Sequence, residues 1–267
     1  MINKGFKFSQ SSLTTFKQCR RRFLLRYLQH MQWPAPLTDH LSEWEQTIQR
    51  GLFFHQFILQ ESLGLHVEAA IHKSDDPLLR TWWDNWRKQA PDMPRGELFS
   101  ETMLSVPFGE RRLVAKLDRV IFAEDGRVLI FDWKTGRRKP KQAEYVDNWQ
   151  TLVYRFVVVE AGALLTGGHP VDPANVSLIY WHAQYPQAIQ PIIYSAAEHE
   201  AARNRLTQKM AEIEGLPDEA AYAKTEDLTE CRRCEYHTYC ERVSPRGEDW
   251  DIDEDELDWD LLPEAEL

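Results

Sequence analysis

Apolar positions along the 267-residue chain change their period several times, and each change marks an element. Ser12 stands where it can cap a helix over Leu13–Leu28, and Pro34-Ala35-Pro36 then breaks the chain. A second helix is expected from about Glu43 to Leu63, ending near Gly64, with Ile48, Leu52, His55 and Leu59 on one face. A tryptophan-rich third helix spans about Pro77–Gln89. The period then drops to two, predicting strands at 100–108, 111–123 and 127–134, the last two joined by the turn Glu124-Asp125-Gly126. A helix over 141–161, strands over 175–182 and 188–194 and a helix over 196–214 complete the pattern. No internal repeat is visible. Strands, a helix and further strands predict an α/β fold built on a central mixed β-sheet flanked by helices.

One strand carries an anomaly. Val128, Leu129, Ile130 and Phe131 form the continuous apolar run of a strand covered on both faces, yet Asp132 and Lys134 follow at once. Residues two apart on a strand share a face, so the two charges sit side by side. Asp118, in Val-Ala-Lys-Leu-Asp-Arg, is expected on the same strand parity as Val114, Lys116 and Val120. If its strand pairs with 127–134, Asp118 and Asp132 converge at one sheet end. Two converging carboxylates repel unless a cation lies between them. Hard oxygen ligands suit Mg²⁺ or Mn²⁺, and Lys134 then adds a positive charge beside the metal. Alone, an Asp-x-Lys sequence is equally an edge-of-strand ion pair.

Two helices add to this. His55 points from its helix toward the core, and Gly51, one turn earlier, permits close approach to a neighbouring element. Gln150 and Tyr154 lie one turn apart on a single helical face, a spacing suited to reaching along a nucleic-acid strand. Trp82, Trp83 and Trp86 can stack on bases, although a helical aromatic cluster usually belongs to a core.

The net charge of −10 would argue against a polyanionic partner, but its distribution matters more. Residues 248–267 hold eleven Asp or Glu and no Lys or Arg, so 1–247 carries 32 basic against 31 acidic residues, a balance of +1. The domain reading is therefore a single domain over 1–247 and a flexible acidic tail over 248–267, whose interleaved Trp250 and Trp259 can imitate a nucleic-acid strand. Basic clusters stand at Arg20, Arg21, Arg22 and Arg26 and at Arg137, Arg138, Lys139 and Lys141. No apolar run is long enough to cross a bilayer, and the N-terminus lacks the apolar middle of a signal peptide, so a cytoplasmic chain without a membrane partner is expected.

The four cysteines fall at Cys19 and in Cys231-x2-Cys234-x5-Cys240. In a reducing compartment a metal centre is favoured over disulfides. Zn²⁺ and an iron–sulfur cluster satisfy four thiolates equally well.

The succession Gly-x-x-x-His at 51–55, Glu101, Leu117-Asp118-Arg119, Phe131-Asp132-Trp133-Lys134-Thr135-Gly136 and Gln150-x-x-x-Tyr154 resembles the PD-(D/E)XK nuclease superfamily, RecB-type branch. The resemblance covers most of residues 9–242. It implies a restriction-endonuclease-like core in which His55, Asp118, Asp132 and the carbonyl of Trp133 bind metal. Lys134 is the implied catalytic lysine with Asp118 and Asp132, and Gln150 and Tyr154 are the implied strand-contacting pair. Glu101 matches a family position whose role varies. Ala115-Lys116-Leu117 stands where a glycine often precedes the aspartate.

The cysteine layout resembles the superfamily's iron–sulfur nucleases, among them the nuclease half of the AddAB helicase–nuclease and the CRISPR-adaptation nuclease. There a [4Fe-4S] cluster joins the two ends of the chain, which assigns Cys19, Cys231, Cys234 and Cys240 as its ligands. Arg20 replaces the proline that often follows the first cysteine, and the Arg20–Arg26 cluster would lie where a strand can thread. The implied activity is metal-dependent hydrolysis of DNA, by an exonuclease acting on single-stranded ends in repair, recombination or CRISPR adaptation, with a helicase or adaptation protein as partner. A non-catalytic DNA-binding subunit of such a complex is the rival class.

Overall fold

The computed structural model describes residues 2–31, 40–136, 141–187, 191–232 and 234–242. Along the chain they form β1 (Lys7–Phe8), α1 (Gln10–Gln18), α2 (Arg20–Phe23), a π turn (Leu24–Leu28), α3 (His40–Ser62), α4 (Glu68–Lys73) and α5 (Pro77–Gln89). There follow β2 (Gly96–Phe108), β3 (Arg111–Ala123), β4 (Val128–Lys134), α6 (Gln142–Val146), α7 (Trp149–Ala161), β5 (Val176–His182), β6 (Pro191–Ile193), α8 (Ala196–Glu214) and α9 (Leu228–Arg232). The acidic tail and the basic residues 137–140 lie outside the described residues.

The sheet runs β1-β3-β4-β5-β6, with β2 on the other edge of β3. It is mixed as expected: β4 and β5 are parallel, joined by a crossover through α6 and α7, while β2–β3, β3–β4 and β5–β6 are antiparallel. Alternation along β4 divides the core in two. Val128 and Ile130 join Val153, Phe156 and Val157 of α7 and Leu206 of α8 on one face. Leu129, Phe131 and Trp133 join Phe54 and Ile58 of α3 and Trp82, Trp83 and Trp86 of α5 on the other. The three tryptophans of α5 are thus core residues, at most 4% exposed, and are not a base-stacking surface. Helix α7 is buried around almost its whole circumference, as an apolar helix wedged between sheet and further helices must be.

Three expectations change. The helix expected over 13–28 starts earlier, capped by Ser9 in a reciprocal box with Ser12, and breaks at Cys19. That residue leaves helical geometry (φ −157°, ψ 114°) so that its sulfur accepts from the Arg22 N–H at 3.4 Å. The helix expected over 141–161 breaks before Asn148, whose side chain caps α7 through the Thr151 N–H at 2.7 Å. The strand parity assigned to Asp118 holds for Val114 and Lys116 but breaks at Val120. Leu113, Ala115 and Leu117 face the α7 side, but so does Val120, so the alternation slips by one at Asp118-Arg119. Directly opposite on β2, Glu101 adopts φ +48°, and register pairs stand on both sides of it (Ser100 with Arg119, Thr102 with Leu117) but not at Glu101–Asp118 itself. The same slip moves β2 from Phe99 to Leu104 on the α7 face.

Candidate active site

The slip lies at the mouth of the sheet. The β3–β4 ladder ends at Arg119–Phe131, so the next residues, Asp118 and Asp132, flank its open end as the sequence implied. Asp118 Oδ2 accepts the Trp133 N–H at 2.7 Å, using a backbone donor that the ladder leaves free. His55, carried by α3 over the other face, sets Nε2 3.0 Å from the Trp133 carbonyl and Nδ1 3.4 Å from Asp118 Oδ1. Ligand atoms of His55, Glu101 and Asp118 lie within 4.8 Å of one another. Glu101 therefore joins the group closely. A left-handed backbone at a non-glycine residue costs energy, and here it aims a carboxylate at the site. Period-two reasoning could not find it, since that assumes an unbroken ladder.

Asp132 and Lys134 point to the opposite face, where α7 covers them. Lys134 Nζ lies 2.8 Å from Asp132 Oδ2 and donates to Gln150 Oε1 at 2.9 Å. Gln150 Nε2 donates to Asp132 Oδ1 at 3.0 Å and lies 3.2 Å from the Tyr154 hydroxyl. Gln150 and Tyr154, expected along a nucleic-acid strand, are 5% and 4% exposed and turn into this network. Asp132 Oδ2 is buried against the Lys134 ammonium. The imidazole and two carboxylates of His55, Glu101 and Asp118, with the Trp133 carbonyl 3.0 Å from the imidazole, fit a divalent cation. Asp132 lies outside that 4.8 Å group but feels the charge of Asp118.

The carboxylates already repel one another electrostatically. Burial pushes Asp132 up to about 6, with Asp118 adding to the rise and Lys134 opposing it. Glu101 is raised by burial and by Asp118, against His55 and Lys116. Burial also lifts Asp118, but His55, the Trp133 N–H and Lys134 outweigh it and hold that carboxyl below its usual range. Lys116, in the stretch where the family often has glycine, pairs with Glu101 at 3.0 Å.

Elsewhere, Cys19, Cys231, Cys234 and Cys240 line one recess together with Arg22, Lys224, His237 and Arg242. All four are free thiols. Among the described residues no three of these sulfurs come within 4.8 Å of one another. Two arginines of the basic cluster of α2 and the π turn engage the same junction. Arg22 and Arg26 pair with Glu235 at 2.8 and 2.7 Å, and Arg20 with Glu212 at 2.7 Å. Arg22 and Arg26 thus fasten the opening helices to the cysteine segment, and Arg20, 43% exposed, ties α2 to α8.

Two solved structures are distantly similar to this chain. SSO0001, a solved structure, is 13% identical with a TM-score of 0.40, over 91% of this chain and 90% of its own. A Eubacterium rectale protein provisionally described as an exonuclease is 11% identical with a TM-score of 0.38, over 80% and 83%. No curated protein matches the chain. A family model for PD-(D/E)XK nucleases matches residues 7–241, a span that includes both the sheet mouth and all four cysteines. The chain belongs to the PD-(D/E)XK nuclease superfamily.

Proposed function

We propose that the protein is a metal-dependent deoxyribonuclease, an exonuclease acting on single-stranded DNA ends, with Asp118, Asp132 and Lys134 as its catalytic residues. The observation that carries this reading is that the buried Asp132–Lys134–Gln150 network and the His55–Glu101–Asp118 group flank the same open end of the β3–β4 ladder and act on each other through charge. His55, Glu101, Asp118, Asp132 and the Trp133 carbonyl would hold Mg²⁺ or Mn²⁺. Such an ion polarises a phosphoryl oxygen and acidifies water. Asp118 and Asp132 orient the attacking water and take up its hydrogen bonds. Lys134 stabilises the negative charge that grows on the phosphoryl oxygens. Gln150 holds Lys134 and Asp132 in register through its two amide atoms, and Tyr154 buttresses Gln150. Burial and the neighbouring Asp132 keep the Tyr154 phenol well above its usual range, so it acts as a neutral hydroxyl.

For the cysteine recess we propose a [4Fe-4S] cluster, which assigns the chain to the iron–sulfur nucleases of the superfamily. A single zinc with bonds near 2.3 Å would draw its sulfurs to about 3.8 Å from one another. The wider spread of these sulfurs favours a larger group. With nothing bound, burial pushes Cys234 up to about 12 and raises Cys231 and Cys240 as well, a cost that thiolate ligation removes. The physiological setting we propose is DNA repair, recombination or CRISPR adaptation beside a helicase or adaptation partner.

Labelled single strands incubated with Mn²⁺ test the chemistry. Asp118→Ala and Lys134→Ala should each reduce cleavage by at least about a hundredfold, a size usual for loss of transition-state charge stabilisation. Calorimetry should show Mn²⁺ binding lost in the first and retained in the second. Undiminished cleavage in EDTA would overturn the mechanism.

A further inference from the structure

Arg119 is 4% exposed; Glu61, Asp118 and Glu101 act on it through their charge, but among the described residues none forms an ion pair with it. Its guanidinium is satisfied by neutral groups. Nε donates to Ser100 Oγ at 3.2 Å, one terminal nitrogen to Met93 Sδ at 3.0 Å and the other to the Ile58 carbonyl at 3.4 Å. Its carbon lies 5.6 Å from the centre of the Trp133 ring. Burying a cation against a thioether, a hydroxyl and a carbonyl is a poor exchange for water. A leucine or methionine at this position would pack against the tryptophans of α5 without that cost.

All of these partners except Met93 share one property. Ile58 is a turn beyond His55 on α3, Ser100 precedes Glu101 on β2, Trp133 carries the carbonyl on β4, and Asp118 precedes Arg119 itself. Every segment that supplies a ligand atom to the candidate metal site therefore meets one side chain behind it. The parity slip explains how: with Asp118 and Arg119 both displaced from the α7 face, the carboxylate reaches the site and the guanidinium lies beneath it. The contact on Ser100 sits beside the strained φ of +48° at Glu101, and Ser62 of α3 adds a hydroxyl 3.5 Å from the same Ser100 oxygen.

We infer that Arg119 is a positioning residue, a clamp that holds α3, β2 and β4 at the separation the metal ligands require. A planar fork of donors suits this; lysine's single point charge cannot reach three acceptors and a ring face together. The inference rests on the metal site proposed above, so its test must separate the two. Mn²⁺ is titrated calorimetrically into wild type, Arg119→Lys, Ser100→Ala and His55→Ala, and unfolding midpoints are measured with and without Mn²⁺. Outer-shell partners typically contribute about 10–100-fold to metal affinity. Arg119→Lys should therefore weaken Mn²⁺ binding about tenfold or more and shrink the metal-induced rise of the midpoint. Ser100→Ala removes one arm only, should shift both quantities the same way by less, and carries the test if Arg119→Lys does not fold. A lowered metal-free midpoint with wild-type Mn²⁺ affinity in both variants would overturn the clamp and leave the metal site standing. Equal Mn²⁺ binding by wild type and His55→Ala would overturn the metal site and the clamp with it.

Discussion

At the scale of single residues, the charged mouth of the sheet makes its neighbours titrate abnormally. His182 pairs in register with Lys134 across β4 and β5 and is 3% exposed. Burial and the Lys134 charge hold its imidazole down to about 4, so it is neutral at pH 7. An unfolded chain regains an ordinary histidine and binds the extra proton first. Stability from this group is therefore complete above about pH 6.5 and lost as pH falls through 4, an effect on the order of 3 kcal/mol. Asp132, raised to about 6, works in the opposite sense over the same window, so the difference between two proteins isolates the histidine. Denaturant unfolding of metal-free wild type and His182→Gln at pH 7.5 and pH 4.5 should show the variant losing less stability on acidification. Parallel losses would mean that His182 is protonated in the folded protein.

At the scale of elements, the β2–β3 hairpin trades regularity for a site. Glu101 occupies a left-handed backbone that glycine adopts without penalty and other residues only at a cost. Glu101→Ala removes the carboxylate and keeps the strain; Glu101→Gly removes both. Glycine's greater freedom in the unfolded chain offsets part of the gain. The glycine variant should still unfold about 1 kcal/mol less readily than the alanine variant, read by urea titration. An alanine variant of equal or higher stability would show that the strand relaxes to extended geometry once the carboxylate is gone. Both should bind Mn²⁺ more weakly than wild type if Glu101 is a ligand.

At the scale of the whole molecule, the cysteine junction is a separate unit. Leu25, Cys234 and Tyr236 form a small core of their own, backed by Met31 and Cys240 and detached from the two cores that cover the sheet. Tyr236 donates to the Met31 carbonyl at 2.8 Å and Lys224 to the Cys240 carbonyl at 2.8 Å. The ligation proposed above would close the loop from Cys19 to Cys231 and remove considerable entropy from the unfolded chain. Protein purified without oxygen should carry iron and sulfide at about four each per chain. Cys231→Ser should lose both, and limited proteolysis should then cut within 224–242 while the far-ultraviolet dichroism of the sheet persists. Colourless wild type holding one zinc per chain would replace the cluster with zinc. No helix among the described residues is long and apolar enough to cross a membrane.

Local periodicity determined most of the element order. The 3.6 and 2.0 spacings placed α3, α5, β3, β4, β5 and α8 to within a few residues, because a side chain's face follows from its own neighbours in sequence. β1 and α4, two and six residues long, are too short for a period to show. The same rule put Asp132 and Lys134 side by side, and the order of short motifs pointed to the family. Tertiary structure alone decided what those groups meet. Whether His55 reaches the Trp133 carbonyl, 78 positions away, depends on how α3 lies on the sheet. Glu101 enters the ligand group, and Arg119 lies beneath it, only because the alternation slips at one point on both strands of a hairpin. Gln150 and Tyr154 turn inward because α7 is buried, and Arg22 and Arg26 are claimed by Glu235 from the far end of the chain. Each of these outcomes is set by register and docking between distant segments, which no window of sequence contains.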